Sequence, residues 1–367
     1  MITIGSVRDF LQEFAPLELA ATWDNVGLLL GEESAPAQRI MTCLTLTPDS
    51  AAEAIADKAQ LVITHHPALF RPVKSLTDST TEGRMLLSLA KAGIGVYSPH
   101  TAFDNTRGGI NEMIAQRLSL HEVSALCRGK EKDSCKLVVF VPDADLGRVS
   151  EALFATGAGN IGQYSQCSFR VAGTGTFFGS ESANPTIGRK GRREEVPEWR
   201  LEVVCPSENV GSVVAALQKA HSYEEPAFDV YPLRSPATSL GEGRIGLLAK
   251  PEPLGVFAQT VKAALQADQV QWVGDENRTI ERVAIVCGSG GDFWKHAKNA
   301  GAHVLLTGEA RFHDCLAAQA DGLALVLAGH YATERFAMEE LAGLLKRQWE
   351  DVEIWASRAE KNPLQCG

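Results

Sequence analysis

The chain has 367 residues, 45% hydrophobic and 22% charged, the balance of an ordinary globular protein with room for two domains. Its formal net charge of −10 argues against a general nucleic-acid binder, which needs a basic footprint. Eight cysteines lie scattered without a C-x-x-C pair, which gives neither a zinc knuckle nor a disulfide framework and fits a reducing cytosol.

The first residues carry no basic stretch followed by an apolar core, and no apolar run approaches membrane-spanning length, so a cytoplasmic protein without a membrane partner is expected. Val7, Phe10, Leu11 and Phe14 recur at helical spacing and predict a packed first helix. Trp23-Asp24-Asn25 then reads as a turn in which the polar side chains satisfy backbone groups. Residues 40–46 predict a strand before a helix begun by Pro48-Asp49-Ser50.

Residues 61–70 read LVITHHPALF, a buried strand running into two adjacent histidines. Neighbouring side chains in extended backbone point in different directions, so His65 and His66 suit two neighbouring ions better than one. A helix over 82–92 leads to SPHTAFDN, which puts His100, Asp104 and Asn105 behind another strand.

The middle of the chain changes texture. KLVVFVP, a helix over 144–156, the glycine-rich GAGNIGQY, polar alternating strands, WRLEVVCP, a helix over 210–221 and AFDVYPL give the order β-α-β-β-β-α-β. That order predicts a small ferredoxin-like α+β module inserted into one discontinuous α/β domain. CRGKEKDS and RSPATSLGEGR read as its linkers, so the expected boundaries are 1–130, 131–235 and 236–367. Within it, GRKGRREE reads as a solvated loop and HSYEEPAFD as a subunit contact.

Strands return at 283–287, 304–307 and 323–328, apolar throughout and each followed by a helix, which predicts an α/β domain with helices on both faces of its sheet. CGSGGDFW, at a strand–helix junction, is either a plain glycine turn or a set of amides able to hold an anion. Glu309, behind a strand, and His100 read as proton carriers or as partners of a metal-bound histidine; His313 is a weaker candidate. In GHYATERFAMEELAGLLKRQW, 100° per residue puts His330, Glu334, Ala337, Leu341, Leu344 and Leu345 on one face, with Arg335, Glu339, Lys346 and Arg347 opposite. A carboxylate on the inward stripe needs a cation, and the alternative is a local Glu–His hydrogen bond. A glutamate can bridge two ions with its two oxygens, such ions lying about 3.5–4 Å apart. Nitrogen and oxygen donors without thiolate fit Zn, Fe, Mn, Co or Ni and do not choose among them. In a parallel sheet all these strand ends converge on one rim, where ligand sites form.

Together ATWDNVGLLLGE, LVITHHPALF, SPHTAFDN, HSYEEPAFDVYPL, LLTGE and GHYATER resemble the NIF-three-like proteins, also named GTP cyclohydrolase I type 2 homologues, over nearly the whole chain. The resemblance implies two divalent metal ions per chain, one held by His65, Asp104 and Glu334 and the other by His66, His330 and Glu334. It implies that Asp24 and Asn25 line the pocket, with Asn105 beside Asp104. The insert would be similar to the trimeric copper-tolerance (CutA/PII-like) fold, and the assembly a homohexamer, a dimer of trimers around a cavity. The expected activity is that of a dinuclear metal-dependent hydrolase with a nucleotide substrate; the family name read literally implies opening of the GTP imidazole ring with release of formate. The alternative is a non-enzymatic hexameric scaffold or metal buffer, and the acidic charge opposes a nucleic-acid role.

Overall fold

The computed structural model describes residues 2–128, 134–162, 164–233 and 240–365. It divides into two compact units, Met1–Gly129 with Thr238–Gly367, and Lys130–Ala237. The linker residues 129–133 and 234–239 lie outside the described residues.

The larger unit contains two sheets where the sequence suggests one. The five-stranded sheet runs Gly27–Leu30, Gly95–Ser98, Leu61–Thr64, Arg39–Cys43 and Glu353–Ala356, all parallel except the antiparallel first strand. The six-stranded sheet runs Gln271–Val273, Ala324–Leu327, Val304–Thr307, Thr279–Val286, Gly241–Pro253 and His121–Arg128, with a parallel centre of three strands and antiparallel flanks. The two chain segments exchange strands. Glu353–Ala356 from the second pairs with Arg39–Cys43 of the first, and His121–Arg128 from the first pairs with Gly241–Pro253 of the second. Local periodicity reports that a strand is buried on both faces; it does not report which strand lies beside it.

Helices explain the continuous apolar strands. Met41, Cys43, Val62 and Val96 pack outward against Ala51, Ala54 and Leu89 of helices Pro48–Ala56 and Thr81–Lys91. Ile40, Leu61 and Ile63 point the other way, into one core shared with Val283, Ile285, Val304 and Leu306 of the second sheet. Between the sheets lie helices Ile4–Phe14, Ile110–Arg117, Leu254–Leu265 and Phe336–Gln348. Behind the second sheet, Ala284, Leu305 and Leu325 meet Trp294, Ala297 and Ala318. Each fully buried Leu or Ile in such layers contributes about 1.5–3 kcal/mol.

The helix that begins at His330 is interrupted. His330–Glu334 and Phe336–Gln348 abut at Arg335, which is not on the solvent face as its spacing suggests. Its guanidinium turns inward to Glu360 at 2.7 Å and to the Ser357 carbonyl at 2.7 Å. The paired acid draws it in.

The smaller unit has one strand fewer between its helices than expected. The alternating residues and WRLEVVCP form a single 14-residue strand, Arg193–Pro206, because nothing breaks its pairing with Phe169–Phe178 and Ser134–Pro142. With Phe228–Pro232 and helices Leu146–Ala155 and Val210–Ala220 the unit is β-α-β-β-α-β, its strands ordered second, third, first, fourth and all antiparallel. That is the ferredoxin-like arrangement.

Candidate metal centre

The centre forms where the carboxyl ends of the parallel strands of the two sheets meet. Past Thr64 the backbone keeps its parallel pairing: the His65 N–H donates to the Cys43 carbonyl at 2.9 Å and the His66 N–H to that of Leu44 at 2.8 Å. Extended backbone therefore sends the two imidazoles apart, His65 buried and His66 half-buried. The next strand, Gly95–Ser98, passes through Pro99 into the short helix His100–Asn105, which carries Asp104. From the other sheet, Ala324–Leu327 ends at Gly329, whose φ of +89° admits a glycine, and helix His330–Glu334 follows.

One oxygen gathers the donors. Glu334 Oε2 lies 3.1 Å from His66 Nε2, 3.1 Å from His330 Nε2 and 3.9 Å from His65 Nε2. His65 Nε2 is also 3.5 Å from Asp104 Oδ1, and the His66 and His330 Nε2 atoms are 3.3 Å apart. Ligands held about 2.0–2.2 Å from one ion sit roughly 3–3.5 Å from each other, so the His66–His330–Glu334 spacings match the donors of an ion, while His65 stands at 3.5 Å from Asp104 and 3.9 Å from Glu334. His66, His330 and Glu334 form one group that could hold a metal ion. His100 adds a ring nitrogen to the His65–His66 group, all within 4.8 Å of one another.

Three of the four histidines are fixed through the nitrogen facing away. Thr45 Oγ1 pairs with His66 Nδ1 at 2.7 Å, Glu309 Oε1 with His330 Nδ1 at 3.0 Å, and Asp24 Oδ1 with His100 Nδ1 at 2.7 Å. Such partners set the tautomer and leave Nε2 for a metal or a proton. His65 is the exception: both its nitrogens are buried and without a hydrogen-bond partner.

The electrostatics follow from burial. Burial holds His65 well below its usual range, against the pull of Glu334. Burial and the Glu334 charge push the Asp104 carboxyl up to about 7. Burial lowers His330, but Glu334 and Glu309 outweigh it and bring the imidazole to about 9. Burial raises Glu334, but His330 and His66 outweigh it and keep the carboxyl ionised.

The Duf34/NIF3 (NGG1p interacting factor 3) family matches residues 2–363. The chain belongs to this family. It is 38% identical over 361 residues to the GTP cyclohydrolase 1 type 2 homolog of Halalkalibacterium halodurans, covering 98% of this chain and 97% of that one. Among solved structures it is similar to a Bacillus cereus protein related to NIF3, with TM-score 0.69 and 32% identity over 100% of this chain and 99% of the other. A Staphylococcus aureus protein gives TM-score 0.76 at 27% identity with the same coverage.

In this Duf34/NIF3 chain, His65, His66, His100, Asp104, His330 and Glu334 come together, with Glu309 behind His330. Asp24 lies behind His100 and accepts from the Thr101 hydroxyl and, at 3.2 Å, the Thr101 N–H; these bonds and His100 outweigh burial and lower its pKa. Two predicted pocket residues hold neighbouring backbone: Asn25 Nδ2 donates to the Leu69 carbonyl at 2.5 Å and Asn105 Nδ2 to that of Leu19 at 2.9 Å. His313 stands exposed on helix Phe312–Ala320 and joins neither donor group. In HSYEEPAFD, His221 Nε2 donates to the Phe140 carbonyl at 3.0 Å and Nδ1 accepts from the Tyr223 N–H at 3.0 Å.

CGSGG is a packing device. The amides of Cys287, Gly288 and Gly290 go to Asn111, Thr333 and Thr307, not to an anion. Gly288, at φ +59°, would place a Cβ 2.1 Å from Glu334 Oε1, so only glycine lets the loop close over that carboxylate. The loop also contributes a residue that sequence reasoning missed. The Cys287 thiol donates to Asp104 Oδ1 at 3.2 Å, while Asn111 ties the Asp104 carbonyl, at 3.1 Å, to the Cys287 amide, at 2.8 Å. Nothing local in the sequence signals these bonds.

Proposed function

We propose that this is a cytosolic hydrolase with two divalent ions per chain, one among His65, Asp104 and Glu334 and the other among His66, His330 and Glu334. The observation that supports it is the buried His65 imidazole, with no hydrogen-bond partner, 3.5 Å and 3.9 Å from two carboxylate oxygens. An orphaned polar ring in an interior is costly, and an ion between these donors removes the cost. When bound, such ions acidify a water and polarise the group under attack. The chain's own residues orient and move protons. His100, fixed by Asp24, has Nε2 free to exchange a proton with the substrate. Glu309, half-exposed beside a cavity of about 630 Å³, takes protons to solvent from the His330 side.

The relatives' name supplies the finer reading, a GTP cyclohydrolase-type reaction: one water adds at C8 of the guanine and opens the imidazole ring to a formamide. A second water hydrolyses that formamide so that C8 leaves as formate. The test is formate release from a nucleotide panel, with protein stripped of metal and reloaded. Turnover that returns with metal supports the hydrolase; activity undiminished by chelation overturns it. Two ions per chain with no turnover of any nucleotide would favour the metal-binding scaffold.

The smaller unit supports a homohexamer built from trimers. Its strand Phe169–Phe178 leaves Phe169, Val171 and Phe178 64%, 45% and 66% exposed, an apolar edge suited to a second copy. A stable monomer by light scattering would sink this assembly.

A further inference from the structure

Two large aromatic side chains stand in solvent beside the centre. Trp23 is 62% exposed and Phe70 49%. They come from separate loops, one following Leu17–Leu19 and the other following the double histidine. The hydrogen bond from Asn25 Nδ2 to the Leu69 carbonyl ties these loops next to both rings. The ring centroids are 5.8 Å apart at 52°, and Trp23 and Phe70 each lie edge-on to His100, at 6.0 and 6.3 Å. His100 is in turn 5.1 Å from the His65 ring and 5.6 Å from that of His66. A continuous run of rings leads from solvent to the candidate ligands.

A ring of this size left in water gives up burial that a fold ordinarily recovers. Here a side-chain bond holds two such rings together, with a histidine–carboxylate pair behind them. We infer that Trp23 and Phe70 form a stacking platform for a flat heteroaromatic ring of the substrate, a nucleobase in kind, with His100 at its inner edge. This rests on the reading that substrate reaches the proposed metal centre. Flat π systems suit the platform because aromatic faces attract by offset stacking, and bases stack on such side chains whatever their sequence. Continuity through His100 with His65 and His66 favours a small ligand over a protein partner, since the ring's occupant is then held against the proposed metal centre. Arg71, next to Phe70, is exposed and makes no ion pair among the described residues, which leaves its guanidinium for a phosphate on the same ligand.

The experiment is equilibrium binding to metal-loaded, full-length protein, with guanosine, adenosine, GTP and inorganic triphosphate as probes. Guanosine and GTP should bind the wild type. Trp23→Ala and Phe70→Ala should each weaken both by roughly fivefold to a hundredfold, the range of base–aromatic stacking. Trp23→Phe should restore most of the loss, and Arg71→Ala should weaken GTP while sparing guanosine. Metal content and melting temperature should be unchanged in all four variants, because none of these side chains is a proposed ligand. Unaltered guanosine binding in both alanine variants would overturn the platform, as would inorganic triphosphate that binds as tightly as GTP. Absence of any nucleoside binding to the wild type would also overturn it, and would leave the metal reading standing if two ions per chain were found. Nucleoside binding lost in Trp23→Ala, from a protein that holds no metal, would support the platform and defeat the metal reading. Dissociation of the assembly in Trp23→Ala would make this face a contact between copies and end the proposal.

Discussion

Glu334 Oε2 lies within 3.1 Å of both His66 and His330 and 3.9 Å from His65, so removing this one side chain affects both proposed ions. Elemental analysis is expected to find close to two metals per chain in the wild type and about one each in Asp104→Ala and His330→Ala. Glu334→Ala should hold the least, because the charge separating the two cations is gone as well. Glu334→Gln keeps the shape beside Gly288 and loses the charge, so it should fold normally and bind metal poorly. Two metals retained in Glu334→Ala would make the His330–Glu334 contact a plain hydrogen bond. Protons give a second check. His330 is raised to about 9 in the metal-free fold, so its stabilising contribution is full below its usual 6.5 and is lost as pH rises through about 9. Asp104, raised to about 7, moves in the same direction over a lower range. Glu334, depressed, contributes above its usual 4.5 and loses that contribution in acid. His65, held below its usual 6.5 by burial, costs stability as pH falls and so offsets Asp104. The metal-free protein should therefore be most stable on a plateau between about pH 4.5 and 6.5. Ions that replace the protons of His330 and Asp104 should raise the melting temperature more at pH 8.5 than at pH 5.5. An increment independent of pH would remove both residues from the ligand set.

At the scale of elements, the short helix His100–Asn105 must hold Asp104 in place although it has only six residues and no side-chain cap at its start. Its far end is held by Arg244, which is 1% exposed. The guanidinium donates to the carbonyls of Asn105 at 3.1 Å and Thr106 at 2.7 Å, and to those of Gly241 and Gly243 at 2.9 and 2.8 Å. Arg244→Leu would leave these buried carbonyls unpaired at about 1–3 kcal/mol each, less what relaxation recovers, for a net loss of about 3–5 kcal/mol in urea unfolding. It should also weaken the ion assigned to Asp104 more than the one assigned to His66 and His330; equal loss of both would mean general loosening of the fold. Elements differed in how plainly the sequence announced them. Helix Ile4–Phe14 buries Ile4, Val7 and Leu11, as the 3.6-residue period implies. His330 and Glu334 are one helical turn apart, so their contact is local and legible. Arg335 was misplaced by the same arithmetic because its partner, Glu360, lies in the C-terminal tail, which helical spacing does not see.

At the scale of the molecule, every proposed ligand lies in the larger unit and none between Ser134 and Leu233. Removing that span and joining its ends should leave a smaller assembly that still binds metal, checked by light scattering and elemental analysis on the same sample. Loss of metal with the assembly intact would contradict the division of labour. Local pattern determined the strands buried on both faces, the helical stripes, the inserted module and the donors that stand where strands stop, because burial period and strand ends are properties of neighbouring residues. Tertiary structure decided that there are two sheets and that their carboxyl rims face each other across one centre. It also decided that Cys287, Thr45 and Asn111 hold the donors, and that Trp23 meets Phe70. Each of these arises from contacts between residues outside one another's local pattern, whether strand pairings, hydrogen bonds or a ring contact. Such a contact has no period for a sequence to display.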